Sequence, residues 1–399
     1  MKIGLIHPST ENPAKADLIW PPLGLCRIAK FLTERGHQVR IIEDALNKYG
    51  ADSIINAVSG LDFIGIGAMT LQVPRVNYLL SRIRKNSRAV IVCGGPHYSA
   101  VRTLAPECDA LVVGDGEKAF LQVMNGSRGI VFGQPSKEYI ETDFSLIDYL
   151  KYGDHLIDGT RAISLLTSRG CPFNCKFCGS PMMFGRSVTD YPLKAVTANM
   201  TALSSKYGIK AFRIMDDTFT LNNKRVAEFC VLVAPFGWRM SCLTNVRTIK
   251  SATLRQMKQA GFEFVAIGAE SANATVLSLA NKKQNKDDIR NAVSKINAAG
   301  LKAEVLFIIG LPGETCESLS ETIQFAEKLG AYRIHAQFFA PFPGCEFDDK
   351  IENYGTIIEP DYRKWTHRVP VFVPYTISYN ELMFLADKFF SEIGRKIGG

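Results

Sequence analysis

The chain of 399 residues has no apolar run long enough to cross a membrane. Its longest strongly apolar run lies near Val305 to Leu311, whereas a membrane-spanning helix needs about 20 apolar residues. An apolar signal segment is also missing, because Met1 to Ile6 leads straight into a strand pattern. These absences predict a cytoplasmic protein without a membrane span.

The chain also lacks the features of a disulfide-stabilised or nucleic-acid-binding protein. Its ten cysteines are spread over a long chain, which favours a reducing compartment rather than disulfides. The formal net charge of +8 is mild and suits anionic ligands such as phosphates or carboxylates. The basic runs Arg82–Lys85 and Lys282–Lys283 are short and typical of solvated faces, so the sequence does not favour a nucleic-acid partner.

Three cysteines with the spacing C-x3-C-x2-C follow the apolar run Ala162–Leu166 and are the most informative feature of the sequence. Thiolates suit iron–sulfur clusters and zinc. Structural zinc normally takes four protein ligands, yet the next cysteine, Cys230, is isolated. Three thiolates without a fourth favour a 4Fe–4S cluster that leaves one iron open, bound by Cys171, Cys175 and Cys178.

Residues 1–130 alternate short apolar strands with amphipathic helices. Because a helix separates neighbouring strands, the pattern predicts an α/β fold with a doubly wound parallel sheet covered on both faces. Such sheets bind ligands at the carboxyl ends of their strands. The helix after the fourth strand is predicted at Ala100–Ala105, and the five strands at Lys2–Ile6, Gln38–Ile42, Phe63–Gly67, Ala89–Cys93 and Ala110–Val113.

The alternation is lost over residues 131–160, which we interpret as a linker, and restarts in residues 161–345. Six strand–helix units are too few for a closed eight-fold barrel, so we expect a partial, open (β/α)6 barrel. Residues 346–399 end in a helix near Asn380–Ile397 and are expected to close the barrel and shape the substrate pocket. The six strands are predicted at Ala162–Thr167, Ala211–Met215, Arg239–Asn245, Phe264–Gly268, Ala303–Ile309 and His335–Ala340.

The cysteine motif, with Phe177 before its last cysteine, resembles the radical S-adenosylmethionine (SAM) superfamily. The resemblance implies that SAM chelates the open iron through its amino and carboxylate groups. It also implies that the reduced cluster cleaves SAM to a 5′-deoxyadenosyl radical. A reducing partner such as flavodoxin or ferredoxin is then required.

Polar residues at the predicted strand ends of the second domain are the candidate SAM contacts. Asp216 or Asp217 could hold the ammonium, Arg247 the carboxylate, and Glu270 or Ser271 the ribose or the amino-acid end. Alternatively, Asp217 or Thr220 could cap the helix that starts near Asn222. The Gly310–Gly313 turn, with Phe177 nearby, offers an apolar wall for adenine. The full candidate set is Phe177, Asp216, Asp217, Asn245, Arg247, Glu270, Ser271, Gly310, Leu311 and Pro312.

The first domain resembles the cobalamin-binding domain of one radical SAM subgroup, through Pro21–Leu25, Gly94–His97 and Gly114–Glu117. Asp44–Gly50 contains no histidine, so a corrin would bind without a protein ligand on its lower face, or the domain would be vestigial and hold no corrin. The candidate cobalamin contacts are Leu23, Gly24, Thr70, Leu71, Gly94, Gly95, Pro96, His97, Gly114, Asp115, Gly116 and Glu117.

The resemblance implies a cobalamin-dependent radical SAM methyltransferase that acts on an unactivated carbon or phosphorus centre of a small molecule. Ring formation or rearrangement without methyl transfer is the alternative within the subgroup. An iron–sulfur sensor without SAM cleavage is the alternative from another class.

The remaining cysteines allow two further readings. The first is a second iron–sulfur cluster in the first domain, bound by Cys26, Cys93 and Cys108. Cys345, which follows the sixth strand, is interpreted as structural, with a catalytic role as the alternative.

Overall fold

A computed structural model describes residues 1–10, 20–47, 49–152, 155–157 and 159–394. Six parallel strands form its first sheet, in the order β2-β1-β3-β4-β5-β6. These strands are β1 (Lys2–His7), β2 (Gln38–Glu43), β3 (Phe63–Gly67), β4 (Val90–Gly94), β5 (Ala110–Gly114) and β6 (Gly129–Gly133). The helices around them are α1 (Leu23–Thr33), α2 (Asp44–Asn47), α3 (Ala51–Val58), α4 (Val73–Asn86), α5 (Pro96–Val101) and α6 (Gly116–Met124).

The doubly wound parallel sheet is confirmed, with two corrections. β6 adds a sixth strand to the five that the sequence predicts, and the proposed boundary at residue 130 falls inside it. Strand β6 alternates buried and exposed residues as an edge strand does, so it lacks the continuous apolar run of a central strand. The prediction of a helix at Ala100–Ala105 is wrong, because α5 begins at Pro96, directly after Gly95 with a φ of 91°.

Seven strands form the second sheet, which curls into a half-barrel, in the order β15-β14-β13-β12-β11-β8-β7. Six run parallel and only the edge strand β7, which the sequence did not indicate, pairs antiparallel. The predicted partial barrel is confirmed. The strands are β7 (His155–Ile157), β8 (Thr160–Leu165), the separate pair β9 (Ser168–Arg169) and β10 (Thr189–Asp190), and then β11 (Ala211–Ile214), β12 (Arg239–Thr244), β13 (Phe262–Glu270), β14 (Lys302–Ile309) and β15 (Arg333–Phe338).

Helices pack on the outer face of this half-barrel. Outward side chains such as Phe212, Met240 and Val265 join one continuous core that extends to the first sheet through Leu5 and Phe120. The helices are α7 (Ser180–Phe184), α8 (Leu193–Tyr207), α9 (Asn223–Val233), α10 (Ser251–Gln259), α11 (Ala274–Leu279), α12 (Lys286–Ala298) and α13 (Cys316–Glu327). Short 3-10 turns lie at Thr70–Gln72, Tyr149–Lys151, Phe219–Leu221, Ala234–Phe236, Val246–Thr248, Asp348–Asn353 and Tyr362–Lys364.

The C-terminal segment contains the antiparallel pair β16 (Gly355–Ile357) and β17 (Phe372–Pro374), followed by helix α14 (Tyr379–Gly394). The predicted helix near Asn380–Ile397 is confirmed up to Gly394, and its last residues lie outside the described ones. The Phe389 ring lies 5.8 Å from the Phe307 ring, on the outer face of β14. The helix therefore covers the outside of the last strands. Across the described residues, no helix is both long and apolar enough to span a bilayer.

Candidate active site

The three motif cysteines lie half-buried on the loop between β9 and α7. Burial raises the pKa of Cys175, and it raises the pKa of Cys178 to about 12. These thiols lie close enough to influence one another's pKa, yet in the described part of the chain no three metal-ligating side chains are already gathered for an ion. Three neighbouring thiols on one loop still match the donors of a 4Fe–4S cluster, which would draw them together and displace their protons.

Hydrogen bonds to distant parts of the chain hold the loop between β9 and α7, which we call the cluster loop. The backbone N–H of Lys176 donates to the carbonyl of Ala280 at 3.0 Å, and Phe347 N–H donates to the carbonyl of Lys176 at 3.1 Å. The side chain of Asn281 donates to the carbonyl of Asn174 at 2.7 Å. The end of α11 and the C-terminal segment therefore hold the loop that carries the cysteines.

Asp216 supports the cluster loop from the end of β11. Its buried carboxylate accepts hydrogen bonds from the backbone N–H and hydroxyl of Thr167, at 2.6 and 2.5 Å, and from the hydroxyl of Ser168 at 2.7 Å. Asp217 lies closer to the cysteines and accepts from Gly170 N–H at 3.1 Å. Of the two candidates we therefore retain Asp217 for the SAM ammonium. The capping alternative is wrong, because Asn222 caps α9 itself.

A buried ion pair lies beside the cluster loop, between Glu270 and Lys282. Their Oε1 and Nζ atoms are 2.7 Å apart, and Lys282 Nζ lies 5.8 Å from the centre of the Phe177 ring. Burial alone would lower the pKa of Lys282, but Glu270 and Cys175 raise it overall, so the amine stays charged. The expectation that Lys282 lies on a solvated face is wrong, and no residue pattern around Lys282 indicates its burial.

The other SAM candidates are either buried residues that hold the surrounding structure or exposed residues that a ligand can reach. Ser271 is fully buried, and its Oγ lies 3.2 Å from Thr322 Oγ1, so it serves packing between α13 and β13. Asn245 is buried and accepts from the backbone N–H of Arg247 at 3.0 Å. The exposed Arg247 guanidinium lies 5.9 Å from the ring of Phe173 on the cluster loop. Arg247 can therefore meet a ligand carboxylate beside the cluster.

The turn after β14 joins Phe177 in one apolar cluster. Leu311 is fully buried there with Cys345 and Phe339, and Phe177 packs against them. Gly310 has a φ of 81°, a conformation that glycine adopts without strain. Burial raises the pKa of Cys345 to about 11, so its thiol is protonated near neutral pH and the structure does not support the catalytic alternative.

Glu314 is fully buried behind this turn, and one of its oxygens accepts from Gly310 N–H at 2.5 Å while the other has no partner. Burial raises the pKa of Glu314 to about 8. A raised carboxyl pKa adds stability that is complete below the unfolded pKa and is lost as pH rises through the folded pKa.

Between pH 5 and pH 8, we expect the free energy of unfolding of Glu314→Gln to rise relative to that of the parent protein by on the order of 4 kcal/mol. The reason is that only the parent protein loses the stabilising proton over this range. Urea unfolding at both pH values measures this, with the exposed Glu352→Gln as the control. Equal pH dependence in the parent protein and Glu314→Gln would contradict the assignment.

At the first sheet, the loops at the carboxyl ends of β3 and β4 meet at His97. Its Nδ1 lies 3.2 Å from Thr70 Oγ1, and the ring packs edge-on against Tyr362 from the C-terminal segment. Burial lowers the pKa of His97 to about 4, so the ring is neutral. A Cβ at Gly95 would lie 2.7 Å from the backbone nitrogen of Ala68, which explains the glycine.

The remaining cobalamin candidates at this edge differ in exposure. Gly24 and Pro96 are exposed, and the half-buried residues are Leu23, Leu71, Gly94, Gly114 and Gly116.

Asp115 and Glu117 belong to a buried charge network that joins the two sheets. The Arg169 guanidinium donates to Asp115 and lies 3.7 Å from Glu117 Oε1. Arg27 Nε donates to the same Glu117 oxygen at 3.0 Å. Burial alone would raise the pKa of Glu117, but Arg169 and Arg27 lower it overall. Both carboxylates are therefore paired with arginines that the sequence analysis did not single out. One of these, Arg169, stands two residues before Cys171.

Asp44 begins the segment Asp44–Gly50, which contains no histidine, and its carboxylate is held by other parts of the protein. Arg75 donates to both carboxylate oxygens of Asp44, at 3.0 and 2.8 Å, and Ser9 N–H donates to Asp44 at 2.9 Å. Asp44 is fully buried. The Asp44 carboxylate is therefore already engaged by other parts of the protein.

Cys93 and Cys108 form a disulfide with a Cα–Cα distance of 6.4 Å. The expectation that the cysteines are reduced is wrong for this pair, which lies between β4 and the start of β5. The second-cluster alternative is also wrong, since two of its three thiols are bonded to each other. Burial raises the pKa of Cys26, the third, well above its usual range.

Inside the half-barrel lies a cavity of about 250 Å³ that the sequence analysis missed. Side chains alternate between the two faces of a strand, so polar residues from several strands meet in this cavity. These residues are too far apart along the chain to form a recognisable motif. These side chains are Arg213, Ser241, Glu304, Arg333, His335 and Gln337.

Comparisons with known proteins identify both halves of the chain. Residues 165–326 match the radical SAM superfamily, and residues 13–124 match the B12-binding domain. An uncharacterized methyltransferase of Pyrococcus horikoshii is 30% identical over 93% of this chain and 87% of its own length. An anaerobic magnesium-protoporphyrin IX monomethyl ester cyclase of Rubrivivax gelatinosus is 26% identical over 96% of this chain and 75% of its own.

Among solved structures, the radical SAM methyltransferase TsrM from Kitasatospora setae, with cobalamin and a [4Fe-4S] cluster bound, has the same fold. It aligns with a TM-score of 0.72 and 16% identity over 96% of this chain and 84% of that chain. The chain therefore belongs to the radical SAM superfamily, in the group that carries a B12-binding domain, and its cofactors are a 4Fe–4S cluster, SAM and cobalamin.

Proposed function

We propose that this protein is a cobalamin-dependent radical SAM methyltransferase that acts on an unactivated carbon or phosphorus centre of a small molecule. The observation that carries the proposal is the contact between the carboxyl edge of the first sheet and α7, the helix that directly follows the cluster loop. A Cβ built at Gly114 would lie 3.5 Å from the carbonyl of Met183, five residues after Cys178. Arg169 bridges the same two edges. A corrin on the first sheet would thus border the cluster.

The cysteine thiolates would hold the cluster, and side chains around them would orient SAM. Asp217 and Arg247 are suited to its charged amino-acid end, because Asp217 contacts Gly170 and Arg247 lies near Phe173, both next to Cys171 or within two residues of it. Leu311 and Phe177 provide an apolar wall. When bound, the cluster and SAM supply a carbon-centred radical, and cobalamin supplies a methyl group. The residues of the chain itself bind and orient SAM and exclude water from the site. This role agrees with a site built without a histidine-centred triad.

For the corrin we propose the edge formed by Thr70, Leu71, Gly94–His97 and Gly114, with Leu23, Gly24 and Gly116 beside it. Their glycines allow a flat ligand to approach the backbone closely. Asp115 and Glu117 are proposed as positioning residues, because Arg169 and Arg27 occupy their carboxylates.

Named relatives support methyl transfer and also keep one alternative open. The Pyrococcus relative is named a methyltransferase, whereas the Rubrivivax relative is named a cyclase. Ring formation without methyl transfer is therefore the second candidate. We place the reaction in the cytoplasm, with a small protein such as flavodoxin or ferredoxin as the electron donor.

The two candidates differ in the fate of the SAM methyl group. We would reconstitute the protein anaerobically and supply reductant, methyl-deuterated SAM and a small-molecule extract. Methyl transfer predicts S-adenosylhomocysteine together with 5′-deoxyadenosine, and a product with one deuterated methyl group. Cyclisation predicts 5′-deoxyadenosine without either, which would overturn the proposal.

A further inference from the structure

The cavity inside the half-barrel is built from inward-facing residues of the parallel strands. On β11, for example, Phe212 and Ile214 point outward into the core, so Arg213 between them faces the interior. The floor of the cavity is apolar and is formed by Ile157 and Phe264, which belong to one buried cluster with Ala162 and Ala211. A polar ring therefore lies above an apolar floor.

Hydrogen-bond donors dominate this polar ring. Arg213 and Arg333 contribute guanidinium groups, while Glu304 is the one carboxylate among the described lining residues and lies 2.6 Å from an Arg333 nitrogen. His335 adds an imidazole, which in its neutral form can donate one hydrogen bond. A ligand group with only acceptors complements such a ring.

Ser164 lies beside the cavity in the wall of the half-barrel. In the β8–β11 pairing Ser164 lies directly opposite Arg213, and the outward neighbours Ile163 and Leu165 place it on the inner face. Its buried hydroxyl is not part of the cavity lining, but it shows that the inner face is polar on β8 as well as on β11.

The cavity opens to solvent at the edge strand β15 and lies below the rim that carries Asp216. Arg213 stands three residues before Asp216, which at about 3.3 Å per residue places it roughly 10 Å below the rim. His335 and Gln337, on the edge strand β15, are exposed, so a small molecule has a lateral path inward.

We propose that this cavity binds an oxyanion group, a carboxylate or phosphate, of the small-molecule substrate, with Arg213 and Arg333 as its anchors. The inference rests on the proposed function, since it assigns the substrate class of that enzyme. A substrate anchored there would extend toward the cluster rim and present a carbon roughly 10 Å from its anionic group.

Binding of simple anions to the full-length protein tests this proposal without any cofactor. Inorganic phosphate and glutarate would each be titrated by calorimetry and thermal shift, against sodium chloride at matched ionic strength. We expect saturable binding of at least one anion, and at least tenfold weaker binding in Arg213→Met. Phosphate alone would identify a phosphorylated substrate, and glutarate alone a carboxylated one.

Two further variants keep the test decisive if Arg213→Met is unstable. Ser241→Ala removes only a hydroxyl that lines the cavity and should weaken anion binding while the fold is retained. Arg290→Met replaces an exposed arginine on α12 and should bind as the parent protein does. No saturation above the chloride control, or unchanged affinity in both cavity variants, would overturn the proposal. Either result leaves the methyl-transfer assay untouched, so the two failures are distinguishable.

Discussion

Cys175→Ala is expected to lose the iron–sulfur cluster and all cleavage of SAM. With one of three thiolates gone, the loop offers two ligands to a cluster that needs three from the protein. Iron per chain should fall from about four to near zero, and the broad visible absorption of the cluster should disappear. No 5′-deoxyadenosine should form under reducing conditions.

Cys316→Ala is the matched control, because Cys316 is a free, partly exposed cysteine at the start of α13, outside the cluster loop. It should retain its iron and its activity. Full iron content in Cys175→Ala, or equal loss in the two variants, would contradict the assignment of the motif.

Arg169→Met should strongly destabilise the fold, by about 3–5 kcal/mol. The substitution leaves two largely buried carboxylates, Asp115 and Glu117, without the cation that they share. It should also loosen the contact between the first sheet and the cluster loop. Urea unfolding followed by circular dichroism measures the change.

The exposed pair Arg82–Asp52 provides the control for this experiment. Arg82→Gln should cost at most about 1 kcal/mol, as exposed ion pairs do. Combining Arg169→Met with Asp115→Asn should cost less than the sum of the two single changes, because each removes the same interaction. A small effect of Arg169→Met, similar to that of Arg82→Gln, would show that the network does not hold the two sheets together.

Local patterns in the sequence predicted most of the fold. Strand β3 was placed to the residue at Phe63–Gly67, and the predicted Arg239–Asn245 exceeds β12 by one residue, because short apolar runs mark buried strands clearly. Strand β7 was missed, since its three residues carry no periodicity. Helix α5 was misplaced because the turn at Gly95 and Pro96 begins the helix instead of preceding it by several residues.

In the cysteine motif, chemistry and sequence spacing coincide, so the sequence alone predicts a cluster there, and this assignment stays a prediction. No sequence pattern indicates the parts of the candidate site that long-range contacts decide. Asp216 and Asp217 are neighbours in sequence, and only the tertiary structure shows that the first is turned toward Thr167. The burial of Lys282 against Glu270, and the pairing of Arg169 with Asp115, likewise depend on residues that are distant along the chain.

The measurement that tests the central claim most directly is a count of both cofactors in the same protein. The chain would be reconstituted anaerobically with iron, sulfide and hydroxocobalamin, then freed of unbound cofactor and analysed for iron, corrin and visible absorption. The account predicts about four irons and about one corrin per chain. Iron without corrin would contradict a corrin site on the first sheet, and corrin without iron would contradict the cluster at Cys171, Cys175 and Cys178.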